Sequence, residues 1–219
     1  MSLIESQSPE LPFPPVVVGI AGCSGSGKST LAAELAHTLG GIHFHLDNYY
    51  RDLSHLPYSE RVGQNFDDPA LIESPLLVEH IAALARGEEI QRPFYDFATH
   101  TRVVGQTEPV RAGRFLVVEG LFALYWADLL PLYHLRVYME TADPLCYERR
   151  LRRDTVERGR TPESVKLQYE TTVRPSAVHF VAPTRDNADL QIDGADHLDW
   201  KVECVRTALR SRGLLGSTL

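Results

Sequence analysis

The sequence predicts an α/β fold, a parallel sheet with helices on both faces, on three observations. An apolar run, residues 16–20, leads into the glycine-rich stretch GCSGSGKST at 22–30 and then into the helical pattern LAAELAHTL. Four more short runs are apolar along their length, as strands buried on both faces must be. Helical patterns, not tight turns, separate most of these runs, and such alternation builds parallel sheets.

In chain order, the first strand is VVVGI at 16–20, and its helix opens at about residue 28. Only Gly40-Gly41 separates that helix from the second strand, IHFHL at 42–46. A helix is expected over 69–86, where Leu71, Ile72, Leu76, Leu77, Ile81 and Leu84 recur at helical spacing. Residues 90–111 break the rhythm. They are aromatic, β-branched and punctuated by Pro93, Gly105 and Pro109, which predicts a β-hairpin insertion of the kind that carries substrate contacts. Strands follow at 115–118, 135–139 and 189–192. Helices are expected at 144–157, from 162 to about 173, and from about 198.

The chain has 219 residues, enough for one sizeable α/β domain. Its formal charge, 22 − 29 = −7, supplies no basic field for nucleic acid or an anionic membrane. Residues 1–14 are acidic and proline-rich, lack a signal-peptide pattern, and read as a disordered lead-in. No apolar run is long enough to span a bilayer. Cys23, Cys146 and Cys204 are odd in number and far apart, which fits a reducing compartment.

The stretch at 22–30 fits G-x-x-x-x-G-K-[ST] between a strand and a helix, the arrangement of a phosphate-gripping loop. Backbone N–H groups close around a polyphosphate where side chains are absent, hence Gly22, Gly25 and Gly27. Cys23, Ser24, Ser26 and Thr30 complete the candidate nucleotide-binding stretch. Lys28 brings a compact charge to the outer phosphates, Ser29 offers a hydroxyl to Mg²⁺, and the following helix aims its positive end at the anion. Cys23 reads as a small residue of the loop.

Ligands of parallel sheets sit beyond the carboxyl ends of the strands. Asp47 follows the second strand there, placed to meet the metal and to accept a proton from an incoming hydroxyl. Glu119 ends the third, at the Walker-B position, as a second metal carboxylate. Arg150, Arg153, Arg158 and Arg160 cluster around Gly159, suited to the charge that spreads over a transferring phosphoryl group. Arg149 and Arg152 read as a solvated face. In the hairpin, the Tyr95 ring can stack on a base and His100 can hydrogen-bond a base edge. Asp67 and Asp68 precede Pro69, where they can cap a helix or take a ribose diol.

These blocks together resemble the uridine/cytidine kinases, a nucleoside kinase branch of the P-loop enzymes. The resemblance spans about residues 16–192 and rests on GCSGSGKST, DNYYRD, NFDDP, YDFATHTR, VVEGLFAL, RDTVERGRTPESVKLQYETTVRPS and PTRDNADLQI. It implies a five-stranded P-loop domain over 15–212, with the hairpin 90–111 over the nucleoside and a lid at 150–162. It implies transfer of the ATP γ-phosphoryl group to a pyrimidine nucleoside 5′-hydroxyl, with Mg²⁺, in cytoplasmic pyrimidine salvage.

Carried over by motif, Asp47 resembles the catalytic base, with Ser29 and Glu119 completing the metal site. Asp67 resembles the ribose ligand, Tyr50 and Phe66 the pocket walls, and Tyr95 and His100 the base readers. Arg150 and Gln168 resemble further nucleoside contacts, and the arginines together the lid and phosphate groups. His100, able to donate or accept, suggests that uridine is taken as well as cytidine. The resemblance also implies a homo-oligomer, dimer or tetramer. Asp68 stands where the family often has histidine, which adds negative charge near the ribose. The short Gly40-Gly41 link is more like that of nicotinamide riboside kinases. Kinases for that substrate, phosphoribulose or pantothenate are the alternatives, and a non-catalytic nucleotide switch is a further one. A guanine switch would need an N-K-x-D tetrad, which is absent.

Overall fold

The computed structural model describes residues 13–216, so the lead-in expected over 1–14 falls almost wholly outside the described residues. The chain runs β1 (Val16–Gly22), α1 (Lys28–Leu39), β2 (Ile42–His45), α2 (Tyr58–Val62), α3 (Ser74–Ala85), and the hairpin strands β3 (Glu89–Asp96) and β4 (Thr101–Arg111). It continues through β5 (Phe115–Glu119), β6 (Leu135–Glu140), α4 (Asp143–Val156), α5 (Pro162–Gln168), α6 (Arg174–Ser176), β7 (Leu190–Asp193) and α7 (Leu198–Ser211). Five strands pair in parallel in the order β2-β5-β1-β6-β7.

Every residue of β1 is buried, and alternate side chains feed two cores. Val17 and Ala21 pack with Phe44, Leu116 and Val118 on the face that α3 covers. Val18 and Ile20 pack with Val117 and Val137 on the face that α1 and α7 cover. Helix α3 sends Leu77, Ile81 and Leu84 inward at i, i+4, i+7, each fully buried and each contributing about 1.5–3 kcal/mol of apolar burial. The two-glycine link has a steric cause. Gly40 caps α1 at φ 61°, and a Cβ on Gly41 would stand 2.7 Å from the Phe115 carbonyl oxygen.

Two helices differ from expectation. The helix expected over 69–86 is a 3₁₀ turn, Pro69–Leu71, followed by α3. Between them Ile72 is extended and bridges Tyr50, so tertiary pairing interrupts the apolar periodicity. The helix expected to end near 173 continues through α6 and a 3₁₀ stretch to Asn187, with π-type turns at Tyr169–Val173 and Ala177–Val181. Pro175 has no N–H to donate, and the widened turns on either side accommodate its ring.

The hairpin forms as expected, with a register shift between Pro93 and Tyr95. Arg102 fastens it to the segment after β2, donating to the carbonyls of Tyr50 (3.0 Å) and Tyr49 (3.3 Å) and pairing with Glu73. Among the described residues, no helix is long and apolar enough to cross a membrane.

Candidate active site

The loop between β1 and α1 needs glycine for measurable reasons. Gly25 has φ 85°, and a Cβ there would lie 2.3 Å from the Cys146 carbonyl oxygen of α4. Gly27 has φ 93° and caps α1. Ser24 is buried and accepts from Arg150 Nη1 at 2.8 Å. Ser26 Oγ is buried without a partner, while its carbonyl accepts from Thr141 Oγ1 (3.2 Å) and Arg149 Nη1 (3.3 Å). Lys28 Nζ rests 3.5 Å from the Cys23 carbonyl. Ser29 and Thr30 open α1 and are exposed. Burial pushes the Cys23 thiol up, so this cysteine is a poor thiolate and serves as a small residue of the loop.

Two carboxylates face this loop from adjacent strands. Glu119, buried at the end of β5, accepts from Ser29 Oγ at 3.1 Å and contacts His45 Nδ1 at 2.7 Å. Burial alone would raise its pKa. The imidazoles of β2 and the charge of Lys28 outweigh burial and hold it well below the carboxylate range. His45 is correspondingly raised by its hydrogen bond to Glu119. Asp47 follows β2 in a 3₁₀ turn. The residue is exposed to solvent, yet surrounding protein, and then the charge of Glu119, push its carboxyl up. The charge of Lys28 favours the ionised form of Asp47, Asp67 and Glu119 alike.

The aspartate pair divides its work. Asp68 accepts from the Ala70 N–H at 2.8 Å through Oδ1 and caps the 3₁₀ turn. Asp67 caps nothing and is buried, with its pKa raised by burial against the opposing charge of Arg150. The predicted pocket walls and base readers meet as a chain of rings. Phe66 stacks on His100 at 4.6 Å, and Tyr50 packs edge-on to Phe66 and tilted to Tyr95. Tyr50 donates its hydroxyl to the Phe66 carbonyl at 2.7 Å. His100 turns the hairpin at φ 55°, and burial lowers its pKa, which favours the neutral ring. The Tyr95 hydroxyl is buried and unpartnered.

All four predicted arginines converge, and they do so on a fully buried acid, Asp154. Arg153 Nε donates at 2.9 Å, Arg158 and Arg160 lie at 3.4 Å, and Arg150 at 3.5 Å. Gln168 Oε1 accepts from Arg150 (3.0 Å) and Arg160 (2.6 Å). The i,i+4 spacings of Arg150 with Asp154 and of Asp154 with Arg158 are sequence signs of this hub. Arg149 corrects the sequence reading. It is no solvated-face residue, because its guanidinium braces the phosphate loop and also donates to the Gly194 carbonyl at 3.1 Å. The ends of β6 and β7 form a further cavity of about 410 Å³ lined by Thr141, Leu145, Ile192 and Asp193.

The sequence model of the phosphoribulokinase / uridine kinase family matches residues 17–199. The chain belongs to that family. A uridine kinase from Deinococcus deserti is 46% identical over 181 residues, covering 81% of this chain and 87% of the relative. A uridine kinase from Chloroflexus aggregans is 39% identical over 206 residues, covering 91% and 98% respectively. The family's kinase fold is also seen in D-glycerate 3-kinase from Cryptococcus neoformans, with a TM-score of 0.60 at 18% identity over 88% of this chain and 90% of that one. Membership makes the chain a P-loop kinase, with ATP as phosphate donor. The nucleotide loop and Glu119 lie within the matched span, as do the hairpin and the Asp154 hub.

Proposed function

We propose that this kinase phosphorylates the 5′-hydroxyl of a pyrimidine nucleoside, uridine or cytidine, in cytoplasmic salvage. The observation that carries the proposal is the ring system Tyr50–Phe66–His100–Tyr95, whose Phe66 is the chain neighbour of the buried Asp67. A flat base needs such a wall, and a sugar phosphate does not. The naming of the relatives as uridine kinases agrees with it.

In this reading Asp67 takes the ribose diol and fixes the sugar. Asp47, with its raised pKa, accepts the 5′-hydroxyl proton as the oxygen bonds to the γ-phosphorus and the bond to the β-phosphate oxygen breaks, releasing ADP. Lys28 and the guanidiniums of Arg153, Arg158 and Arg160 receive the developing charge, with Arg158 the most exposed of the three arginines. Arg150 and Gln168 border the nucleoside, and residues 150–162 act as the lid. The oxygen donors Ser29, Glu119 and Asp47 suit Mg²⁺. The ion, when bound, neutralises phosphate charge. His100, in its neutral form, donates or accepts and so admits both uracil and cytosine edges. Like its family resemblance, the proposal includes a homo-oligomer.

A coupled ADP-release assay across uridine, cytidine, nicotinamide riboside and purine nucleosides tests the proposal. Turnover with uridine or cytidine is expected. Activity with nicotinamide riboside alone would overturn the pyrimidine assignment.

A further inference from the structure

Strand β2 carries two histidines two residues apart, so both imidazoles leave the same face of the sheet. In the parallel register His45 stands opposite Glu119 and His43 opposite Val117. The two rings lie with centroids 3.9 Å apart. Both aim a nitrogen at one carboxylate oxygen: His45 Nδ1 is 2.7 Å and His43 Nε2 3.7 Å from Glu119 Oε1. A single imidazole would suffice to hold that oxygen. The second, His43 Nε2, is buried and makes no hydrogen bond.

We propose that His43, His45 and Glu119 form a binding site for a late first-row transition-metal ion, Zn²⁺ foremost, beside the nucleotide site. The three donor atoms lie within 4.8 Å of one another. Donors on a tetrahedral ion with bonds of about 2.0–2.1 Å stand roughly 3.3 Å apart, between the two measured separations. Two imidazoles and one carboxylate are a zinc-type donor set, and Mg²⁺ prefers oxygen alone. Position makes the site reachable: β2 is an edge strand, and the His45 side chain is 45% exposed. The fourth position falls to water. Resting on the function proposed above, an ion held here withholds Glu119 from the nucleotide's magnesium and slows phosphoryl transfer.

The test titrates the tag-free, full-length chain with Zn²⁺ by calorimetry, without nucleotide, so that it reads the site whether or not the enzyme accepts a nucleoside. Tight binding that millimolar Mg²⁺ does not displace is expected. His43→Gln and His45→Gln should each weaken it by more than about 100-fold, the upper end of what loss of an outer-shell partner costs. Equal affinity in the wild type and both variants, with circular dichroism showing them folded, would overturn the site, as would displacement by Mg²⁺. Should a substitution unfold the chain, Cu²⁺ electron paramagnetic resonance of the wild type decides. Coupling to two imidazole nitrogens supports the site, and coupling to fewer overturns it. In turnover, Zn²⁺ should inhibit the wild type more than His43→Gln, and equal inhibition overturns the link to Glu119.

Discussion

Ser29 and Glu119 stand 90 positions apart in sequence, and a 3.1 Å hydrogen bond joins the hydroxyl of one to the carboxylate of the other. The bond ties the first turn of α1 to the end of β5. It sets the two oxygen donors of the proposed metal site in register before any ligand arrives, and that pre-organisation reduces the ordering needed on binding.

Asp47→Asn keeps the shape of the side chain but removes the proton acceptor. Turnover should fall by about 10² to 10⁴, the usual contribution of general base catalysis, while nucleotide affinity stays near that of the wild type. The ADP-release assay and nucleotide titration calorimetry measure the two separately. Near-full activity would remove Asp47 from the role of base.

His100→Ala removes the imidazole that stacks on Phe66. The uridine-to-cytidine ratio of kcat/KM should change at least about fivefold, close to the 1 kcal/mol of one neutral hydrogen bond. ATP affinity should hold. Equal losses for both nucleosides would mean that the ring only packs the hairpin.

Asp154→Ala strips four arginines of their shared carboxylate. Arg150, 7% exposed, cannot recover full hydration, so the variant should lose about 3–5 kcal/mol of stability. At this chain length, each kcal/mol lowers Tm by about 2–4 °C, which thermal melting would reveal. A wild-type melting curve would contradict the hub's structural weight.

Asp189 links β6 to β7 by accepting from Arg136 Nη2 (2.7 Å), Nε (3.1 Å) and backbone N–H (2.8 Å). The Arg136 side chain foremost lowers its carboxyl from 3.8 to about 2. A carboxyl depressed in the folded state stabilises the fold above the unfolded pKa and loses that contribution as pH falls through the folded one. Asp189 is exposed, so solvent screens the pair, and Asp189→Asn should cost about 1 kcal/mol or less near pH 7, with the difference shrinking as pH falls from about 5 toward 2. Urea unfolding of both proteins across that range measures it, and a gap that does not narrow would show that the charge is not its source.

The sequence by itself determined the five strands, the phosphate loop and the hairpin. Each depends on signals read within a few residues: an unbroken apolar run for a strand buried on both faces, glycines where φ is positive, and β-branched and aromatic residues around turns. It also marked Asp47 and Glu119, because strand ends of parallel sheets are where ligands bind. What only the tertiary structure decided is which side chains face one another. Asp67 and Asp68 are neighbours of one type, and only packing turns one to the backbone and buries the other. Arg149 differs from Arg152 only by the helix face it shares with the phosphate loop. The contact of His45 with Glu119 spans 74 positions and exists because β2 pairs with β5 in one register. Local periodicity carries backbone conformation and burial, whereas contacts between distant strands follow from strand order and register, which no short stretch of chain encodes.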